Sequence, residues 1–238
     1  MLTVHHLDHS QSFRIVWLLE ELKASGNGID YEVKLYKRTE RERMAPQEYK
    51  ALSPLGTAPT ITTSEGLVMN ESNTIIEYIL DLSGEEKNPS TSSMRPSVSS
   101  PDRPTFLFWF HAVQGSMMPV LTVDIVFRRV TSMTPCPIST IVGLVGSKVR
   151  DTLVMPRLWK LLEMAESQLG KTEFLAGNHL TAADISAIYP FASVFTRYPE
   201  FTKTYPNCKN WLDRMYQRPA FKAAQEKVGE KDGVVFES

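Results

Sequence analysis

The hydrophobic pattern of the first 82 residues switches repeatedly between helix-like and strand-like periods. Apolar side chains recur every three to four positions over residues 10–23 and residues 72–82, which predicts two amphipathic helices. Short alternating or apolar runs predict four strands, at residues 2–7, 31–36, 60–63 and 67–69. The order βαβ followed by ββα indicates an α/β domain whose first crossover is right-handed. The charged run between residues 39 and 54 is interpreted as a solvated surface.

A segment rich in serine, proline and charge interrupts this pattern. Residues 83–104, SGEEKNPSTSSMRPSVSSPDRP, have neither a helical nor a strand period, which predicts an extended or mobile linker. Helical periods dominate beyond it, with helices predicted to begin at Pro156, Thr181 and Pro206. We therefore expect an α/β domain at residues 1–82, a linker at 83–104, and an all-α helical bundle at 105–238.

The composition is that of an ordinary globular protein. The 238 residues carry 26 Lys+Arg and 27 Asp+Glu, and 42% are hydrophobic, which excludes a disordered chain and gives no support for a nucleic-acid binder. Cys136 and Cys208 are too few and too distant for a disulfide framework, so we expect a reducing, cytoplasmic compartment. The opening MLTVHHLDHS has no signal-peptide pattern. The apolar stretch 106–127 is predicted to be a buried core helix, with no transmembrane segment, because polar residues interrupt it.

Two predicted helix starts carry side chains that suit either capping or anion binding. Ser10 lies where the first strand ends and the first helix begins, so its oxygen could accept a helix N–H as an N-cap. The same hydroxyl could instead donate to an anion at the helix N-terminus. Residues 70–73, NESN, allow the same two interpretations, with Ser72 and backbone N–H groups holding a carboxylate.

The loop at residues 54–59, PLGTAP, is the third candidate segment. It can be an ordinary turn, or it can contain a cis bond before Pro59 that lets the preceding backbone pair with an extended peptide ligand. Two helix N-termini and one outward-facing extended segment together favour a small, acidic, peptide-like ligand.

Six segments carry a resemblance to a known family. HLDHSQSFRIVWLLEEL, YEVKLYKR, SPLGTAPT and NESNTIIEYIL resemble the thioredoxin-like domain of a glutathione S-transferase. FWFHAVQGSMMPVL and LAGNHLTAADISAIYPF resemble its helical domain. The first segment and the PCPI run at residues 135–138 are most similar to the fungal GTT-type class. The resemblance implies a thioredoxin-like βαβ-ββα domain followed by a helical bundle, a homodimer, and glutathione as cosubstrate with no metal.

The resemblance also implies a role for each candidate residue near the ligand. Glu71 and Ser72 would meet the γ-glutamyl carboxylate of glutathione, and Ala58, beside a cis Pro59, would pair with the cysteinyl backbone. Lys50 is the candidate for the glycyl carboxylate.

Ser10 and Arg14 match the family's S-x-x-x-R pattern. Ser10 would hydrogen-bond the glutathione sulfur, with Ser12 as the competitor for that role, while Arg14 is structural. Because the thiolate is the nucleophile, a donor to the sulfur would activate it.

The second domain is expected to line a pocket for a hydrophobic electrophile. Five side chains of one predicted helix are candidates, although such a stripe is more often core: Trp109, His111, Gln114, Met117 and Met118. Related sequences often have Glu where Gln114 stands, so a charge role is not expected there. Thr181 and Asp184 form a capping box with a structural role.

Other functions are weaker interpretations of the same residues. Residues 1–82 contain no cysteine, which disfavours disulfide exchange through an enzyme thiol. His5 and His6 point to opposite faces of a strand and His9 lies beyond it, so a metal site is disfavoured. A noncatalytic transferase-like module for binding or assembly stays the alternative to an enzyme. Hydroperoxide reduction or a step of secondary metabolism are variants of the enzyme hypothesis.

Overall fold

The computed structural model describes residues 1–40, 43–83 and 94–229. Its first domain holds a four-stranded sheet of order β2-β1-β3-β4, in which β1 is parallel to β2 and antiparallel to β3. The strands are β1 (Leu2–Leu7), β2 (Tyr31–Tyr36), β3 (Thr60–Thr63) and β4 (Val68–Asn70). The first three match the predicted bounds, and β4 lies one residue later than predicted.

The helices of this domain are α1 (Phe13–Ala24), α2 (Gln47–Lys50) and α3 (Ser72–Ser83). The prediction that α1 begins at Ser10 is wrong, because residues 8–12 form turns before the helix. The short helix α2 lies inside the stretch interpreted as solvated surface, and it buries Tyr49 completely. The sequence pattern did not predict α2, because a single buried aromatic residue among many charged residues produces no helical period.

Of the predicted linker at residues 83–104, residues 84–93 lie outside the described residues. The described part, residues 94–102, makes specific contacts at its start, while residues 97–99 are exposed. Met94 is buried and its carbonyl accepts the Ala182 N–H at 2.8 Å. Arg95 forms ion pairs with Glu77 and Asp81 of α3. Specific contacts thus hold a segment whose composition suggested mobility.

The second domain is helical throughout its described length. Its helices are α4 (Arg103–Ala112), α5 (Met118–Met133), α6 (Ile138–Val149), α7 (Met155–Leu169), α8 (Ala182–Arg197), α9 (Phe201–Thr204), α10 (Pro206–Gln217) and α11 (Pro219–Val228). Short π-helical turns, Val113–Met117 and Arg150–Val154, join α4 to α5 and α6 to α7. Pro156 therefore lies in the first turn of α7, as predicted, but the helix itself continues from α6.

The joined helix Arg103–Met133 is long and apolar enough to cross a membrane by those two measures alone. About 39% of its most apolar window is buried. One face, including Phe106, Phe110 and Val113, belongs to the core, while Leu107 and Phe108 on the other face are exposed. The predicted buried core helix is thus buried on one side only.

The core spans both domains because α1 lies between the sheet and the second domain. Its residues from Phe13 to Leu22 are all buried. Phe221 of α11 packs edge-on against Phe13 and Trp17, at ring-centre distances of 4.9 and 5.2 Å. Arg218 also forms a two-pronged ion pair with the buried Glu21. This burial fixes the start of α1, and with it the candidate site, against the helical domain.

Candidate active site

Three segments singled out in the sequence meet at one edge of the sheet. Thr60 at the start of β3 pairs with His5 near the end of β1 and with Asn70 at the end of β4. Residues 8–12 follow β1, residues 54–59 precede β3, and the N-terminus of α3 follows β4. The sheet register therefore brings these three parts together, although they are separated by up to 60 residues of chain.

The loop before β3 is fixed from two sides. The Ala58–Pro59 peptide bond is cis, as predicted. The Asn70 amide nitrogen donates to the carbonyls of Thr57 and Pro59, at 3.0 and 3.3 Å, and to the Thr60 hydroxyl at 2.7 Å. Ala58 and Pro59 precede the first paired residue of β3, so they stand outside the sheet ladder. The end of β4 thus positions the extended segment that was predicted to face a ligand.

Lys50 lies next to the same loop, at the end of α2, and is partly buried. Gly56 adopts a left-handed conformation with φ of 60°. A side chain at Gly56 would approach the Cα and carbonyl oxygen of Lys50 to 3.3 Å, so this glycine permits the close contact. The structure brings the Lys50 backbone beside the loop that carries Ala58.

Ser10 and Ser12 form a buried hydroxyl pair. Their Oγ atoms are 2.6 Å apart, and the Ser12 N–H donates to Ser10 Oγ at 3.2 Å. The alternative that Ser10 caps α1 is wrong: its oxygen serves a turn, and the N-cap position is Ser12, whose side chain makes no capping bond. Ser12 Oγ instead faces backward to Leu7 and to His6 Nδ1, at 3.0 Å from the latter.

Gln11 connects this turn to both neighbouring helices. Its Oε1 accepts the Ser72 hydroxyl at 3.3 Å and the Gln114 amide at 3.2 Å. Ser72, at the first position of α3, also accepts from Arg14 at 3.0 Å. The backbone N–H groups that begin a helix have no intrahelical acceptor, so this point can receive an anion.

Arg14 is a completely buried cation with neutral acceptors. Its guanidinium donates to the Ser186 carbonyl at 2.5 Å and to the Ser72 hydroxyl at 3.0 Å, which ties α1 to α8 and α3. Within the described ranges its Nε has no hydrogen-bond partner. Burial lowers the pKa of Arg14 to about 9, because charge is disfavoured away from water. Arg14 thus links the two domains directly behind the α3 N-terminus.

Comparison with known proteins identifies the family. Residues 10–82 match the family model of the glutathione S-transferase N-terminal domain, and residues 152–214 match that of the C-terminal domain. Glutathione S-transferase 3 of Schizosaccharomyces pombe is 31% identical, over 99% of this chain and 91% of that protein. The chain belongs to the glutathione S-transferase family. Glutathione S-transferase 1 of Saccharomyces cerevisiae is 28% identical, covering 96% of this chain and 95% of the relative.

Solved structures agree with this family assignment. A glutathione S-transferase from Actinobacillus pleuropneumoniae superimposes with a TM-score of 0.73 at 26% identity, covering 96% of this chain and 93% of that one. The predicted family and the predicted combination of an α/β and a helical domain are confirmed. The exact domain boundaries stay predictions.

The five residues predicted to line the electrophile pocket of this transferase separate into two groups. Trp109 and Met117 are buried in the core, where the more ordinary interpretation of such a stripe placed them. His111, Gln114 and Met118 are exposed or partly exposed. Of these, Gln114 donates to Gln11 and so borders the turn that carries Ser10 and Ser12. The π-helical turn Val113–Met117 contains one member of each group, Met117 and Gln114, and alters the angular spacing from that of an α-helix.

Glu71 and Ser72 also differ in exposure. Glu71 is exposed and has a φ of 72°, an unusual conformation for a non-glycine residue that often marks a functional position. Ser72 is buried beside it. Glu71 is the single residue between β4 and α3, and its left-handed conformation reverses the chain there and leaves its side chain exposed beside the site.

Several residues of the site escaped sequence reasoning. Gln11 and His6 lie in the first segment that carries the resemblance but were given no role in the site, because only the fold brings their hydroxyl partners close. Asn73 donates to the Phe110 carbonyl at 2.6 Å and accepts the Ser186 hydroxyl at 2.9 Å, so it joins α3 to the second domain. Residues 70–73, NESN, were the available signal, but they were interpreted only as capping or anion binding.

Proposed function

We propose that this glutathione S-transferase conjugates the thiolate of glutathione to electrophilic small molecules, in detoxification in the cytoplasm. One observation carries the proposal: the Ser10 hydroxyl, the cis-Pro59 loop and the N-terminus of α3 share one edge of the sheet. These are the three elements that a small, acidic, extended peptide requires. Each is weak alone, and their convergence supports a single ligand.

The arrangement suggests an orientation for glutathione. The γ-glutamyl carboxylate would lie at the N-terminus of α3, beside Ser72 and Glu71, where N–H groups favour negative charge. The cysteinyl backbone would pair with Ala58 as a short added strand. Lys50, on the far side of the Gly56 contact, would meet the glycyl carboxylate. In this orientation the sulfur would point toward the turn that carries Ser10 and Ser12.

The chemistry depends on removing the thiol proton. A free thiol with a pKa of about 8.5 is mostly protonated at neutral pH. Lowering that pKa by two units requires about 2.7 kcal/mol of preference for the anion. A hydroxyl donating to a charged acceptor contributes ~1.5–3 kcal/mol. The N-terminus of α1 adds ~0.3–1 kcal/mol, so the two together suffice. Ser10 is our candidate for the donor, and Ser12 is the competitor.

The electrophile would approach from the helical domain. His111, Gln114 and Met118 are accessible on α4, the π-turn and α5, and Gln114 lies one hydrogen bond from Gln11. Methionine and aromatic groups suit varied apolar ligands. Trp109 and Met117 would support this wall from the core rather than touch the electrophile.

We also infer a homodimer. Exposed apolar side chains occur on both helices of the α5–α6 hairpin: Val126, Val130, Met133, Ile138, Ile141, Leu144 and Val145. Apolar surface of this extent marks an interaction site more often than free surface. Light scattering on the purified protein tests the inference, and a monomeric mass at micromolar concentration would contradict it.

A conjugation assay with a generic aryl halide separates the enzyme from a noncatalytic binding module. We expect a glutathione-dependent rate well above the uncatalysed rate. Glutathione binding without any such rate, in a protein that melts cooperatively, would support the binding module. The same preparation tested with an organic hydroperoxide distinguishes conjugation from hydroperoxide reduction.

A further inference from the structure

A buried series of hydrogen bonds leads from His6 to the candidate sulfur donor. His6 Nδ1 is 3.0 Å from Ser12 Oγ, which is 2.6 Å from Ser10 Oγ. His6 is 1% exposed, Ser12 is inaccessible and Ser10 is 4% exposed, so water competes little for these bonds. Of these three side chains Ser10 is the most exposed, so it is the one that can reach the proposed ligand.

The number of hydrogens and lone pairs on His6, Ser12 and Ser10 limits the directions that their hydrogen bonds can take. A serine hydroxyl donates one hydrogen bond and accepts two. The Leu7 N–H, at 3.2 Å, occupies one acceptor position of Ser12 Oγ. The Ser12 N–H occupies one acceptor position of Ser10 Oγ, also at 3.2 Å. The directions of the two hydroxyl hydrogens are therefore still undecided, and so is whether His6 Nδ1 carries a hydrogen.

His6 decides that direction. If Nδ1 carries a hydrogen and donates to Ser12, both acceptor positions of Ser12 are filled, and its own hydrogen goes to Ser10. The competing acceptor, the Leu7 carbonyl, is farther away at 3.3 Å. Ser10 then has both acceptor positions filled as well, so its hydrogen is left for the ligand.

If His6 Nδ1 carries no hydrogen, the Ser10 hydroxyl becomes an acceptor toward the ligand instead of a donor. If His6 Nδ1 accepts from Ser12, Ser12 must accept from Ser10, and the Ser10 hydrogen points inward. Ser10 would then offer the ligand only a lone pair, which favours a thiol S–H over a thiolate. The same three side chains thus stabilise either the reactive or the unreactive form of glutathione.

We propose that His6 is a positioning residue: its Nδ1–H donates to Ser12, which orients Ser12 toward Ser10 and leaves the Ser10 hydrogen to bind the glutathione sulfur as the thiolate. No bond to the substrate is made by His6 itself. The inference rests on the proposed function, and it adds a residue that acts on the sulfur through two hydroxyls.

The test measures the pKa of enzyme-bound glutathione from the ultraviolet absorbance of its thiolate as a function of pH. His6→Leu removes the donor, and we expect the bound-thiol pKa to rise by about one unit, a tenfold loss of thiolate at neutral pH. His6→Asn keeps an N–H donor near the Nδ1 position, and we expect it to restore most of the difference. An unchanged thiol pKa in His6→Leu, or a lowered one, overturns the proposal.

His5→Leu is the matched control. His5 is in the same strand and almost as buried, but it bonds to Tyr36 and Thr62 rather than to the serines. We expect its bound-thiol pKa to equal that of the wild type. Affinity for S-methylglutathione, which has no thiol, should be nearly the same in all variants. A parallel loss of this affinity in His6→Leu and His6→Asn would indicate a merely structural role and contradict the proposal.

Ser12→Ala keeps the test decisive if His6→Leu does not fold. It breaks the series of hydrogen bonds while leaving His6 in place, and we expect a similar rise of the thiol pKa. The double variant His6→Asn, Ser12→Ala should then be no worse than Ser12→Ala alone, because His6 acts only through Ser12. Additive effects would overturn the inference. A wild-type protein without conjugating activity or a lowered thiol pKa would refute the proposed function instead.

Discussion

Two buried polar regions of this transferase differ in how completely they are satisfied. Asp184 of α8 accepts four hydrogen bonds, from the N–H groups of Leu175 and Thr181, the Thr181 hydroxyl and the Trp211 indole, all at 3.0 Å. The Ser10–Ser12 turn and Ser72 instead present hydroxyls and helix N–H groups at an edge of the sheet. In the first region all four donors are bound by one carboxylate, while in the second the backbone N–H groups that begin α3 have no intrahelical acceptor and can bind a ligand.

The comparison teaches that burial alone does not identify function here. Burial raises the pKa of Asp184, since the charged form loses water, and four donors oppose that effect. A perturbed carboxyl would ordinarily be a candidate for catalysis. All four donors belong to the capping box, the preceding loop and α10, and Asp184 is 0% exposed, so this carboxyl connects structural elements.

Asp184→Ala is expected to have the largest effect. It leaves four buried donors without an acceptor, and we expect a loss of at least about 3 kcal/mol in the free energy of unfolding. Urea denaturation measures it, with Asp213→Ala as a control, because that carboxylate pairs with Lys209 at the surface. Intrinsic activity per folded molecule should be kept. Stable protein with reduced turnover would place Asp184 in the site and remove the contrast between the two regions.

Ser10→Ala should act on rate rather than on stability. Loss of a charge-assisted bond of ~1.5–3 kcal/mol lowers kcat/KM by roughly tenfold to a hundredfold, with little change in glutathione affinity. Steady-state kinetics and calorimetry measure the two effects separately. Ser25→Ala, at the far end of α1, is the control. If Ser10→Ala turns over normally and Ser12→Ala is slow, the role of sulfur donor passes to Ser12.

Ser72→Ala is expected to weaken binding. The lost hydroxyl weakens glutathione affinity about tenfold, while turnover at saturating glutathione changes less. Arg14 also loses an acceptor, so the melting temperature is measured alongside. A fall in saturated turnover with unchanged affinity would contradict the assignment of the α3 N-terminus to ground-state binding.

The smallest predicted effect is a pH dependence of stability from His5. Burial lowers the pKa of His5 from 6.5, and Lys34 lowers it further, while Glu32 opposes them; Tyr36 and Thr62 hydrogen-bond the ring. Because the unfolded chain then binds the proton more readily, stability is full above pH 6.5 and falls as the pH drops toward the lowered value. Denaturation midpoints at a series of pH values test this. If stability falls equally steeply with decreasing pH in His5→Gln and in the wild type, His5 does not contribute to the pH dependence.

The sequence alone was sufficient for the four strands, for the existence of α1 and α3 and for the family, although it missed α2. The period of apolar positions gave three of the four strands with their correct bounds, and the motifs around Ser10, Pro59 and Ser72 led to the glutathione S-transferases. These signals are local, since a strand, a turn or a helix start depends mainly on neighbouring residues. The capping box at Thr181 and Asp184 was recognised for the same reason.

Only the tertiary structure decided which of these signals act together. The register of β1, β3 and β4 brings Ser10, Ala58 and Ser72 to one edge, and no local pattern encodes the contacts of Gln11 with Ser72 and Gln114. Sequence could not show that Trp109 and Met117 point into the core while Gln114 does not, because a π-turn shifts the helical phase. Nor could it show that His6 meets Ser12. Such contacts depend on packing between segments distant in the chain or on the exact course of a turn, which a one-dimensional pattern does not contain.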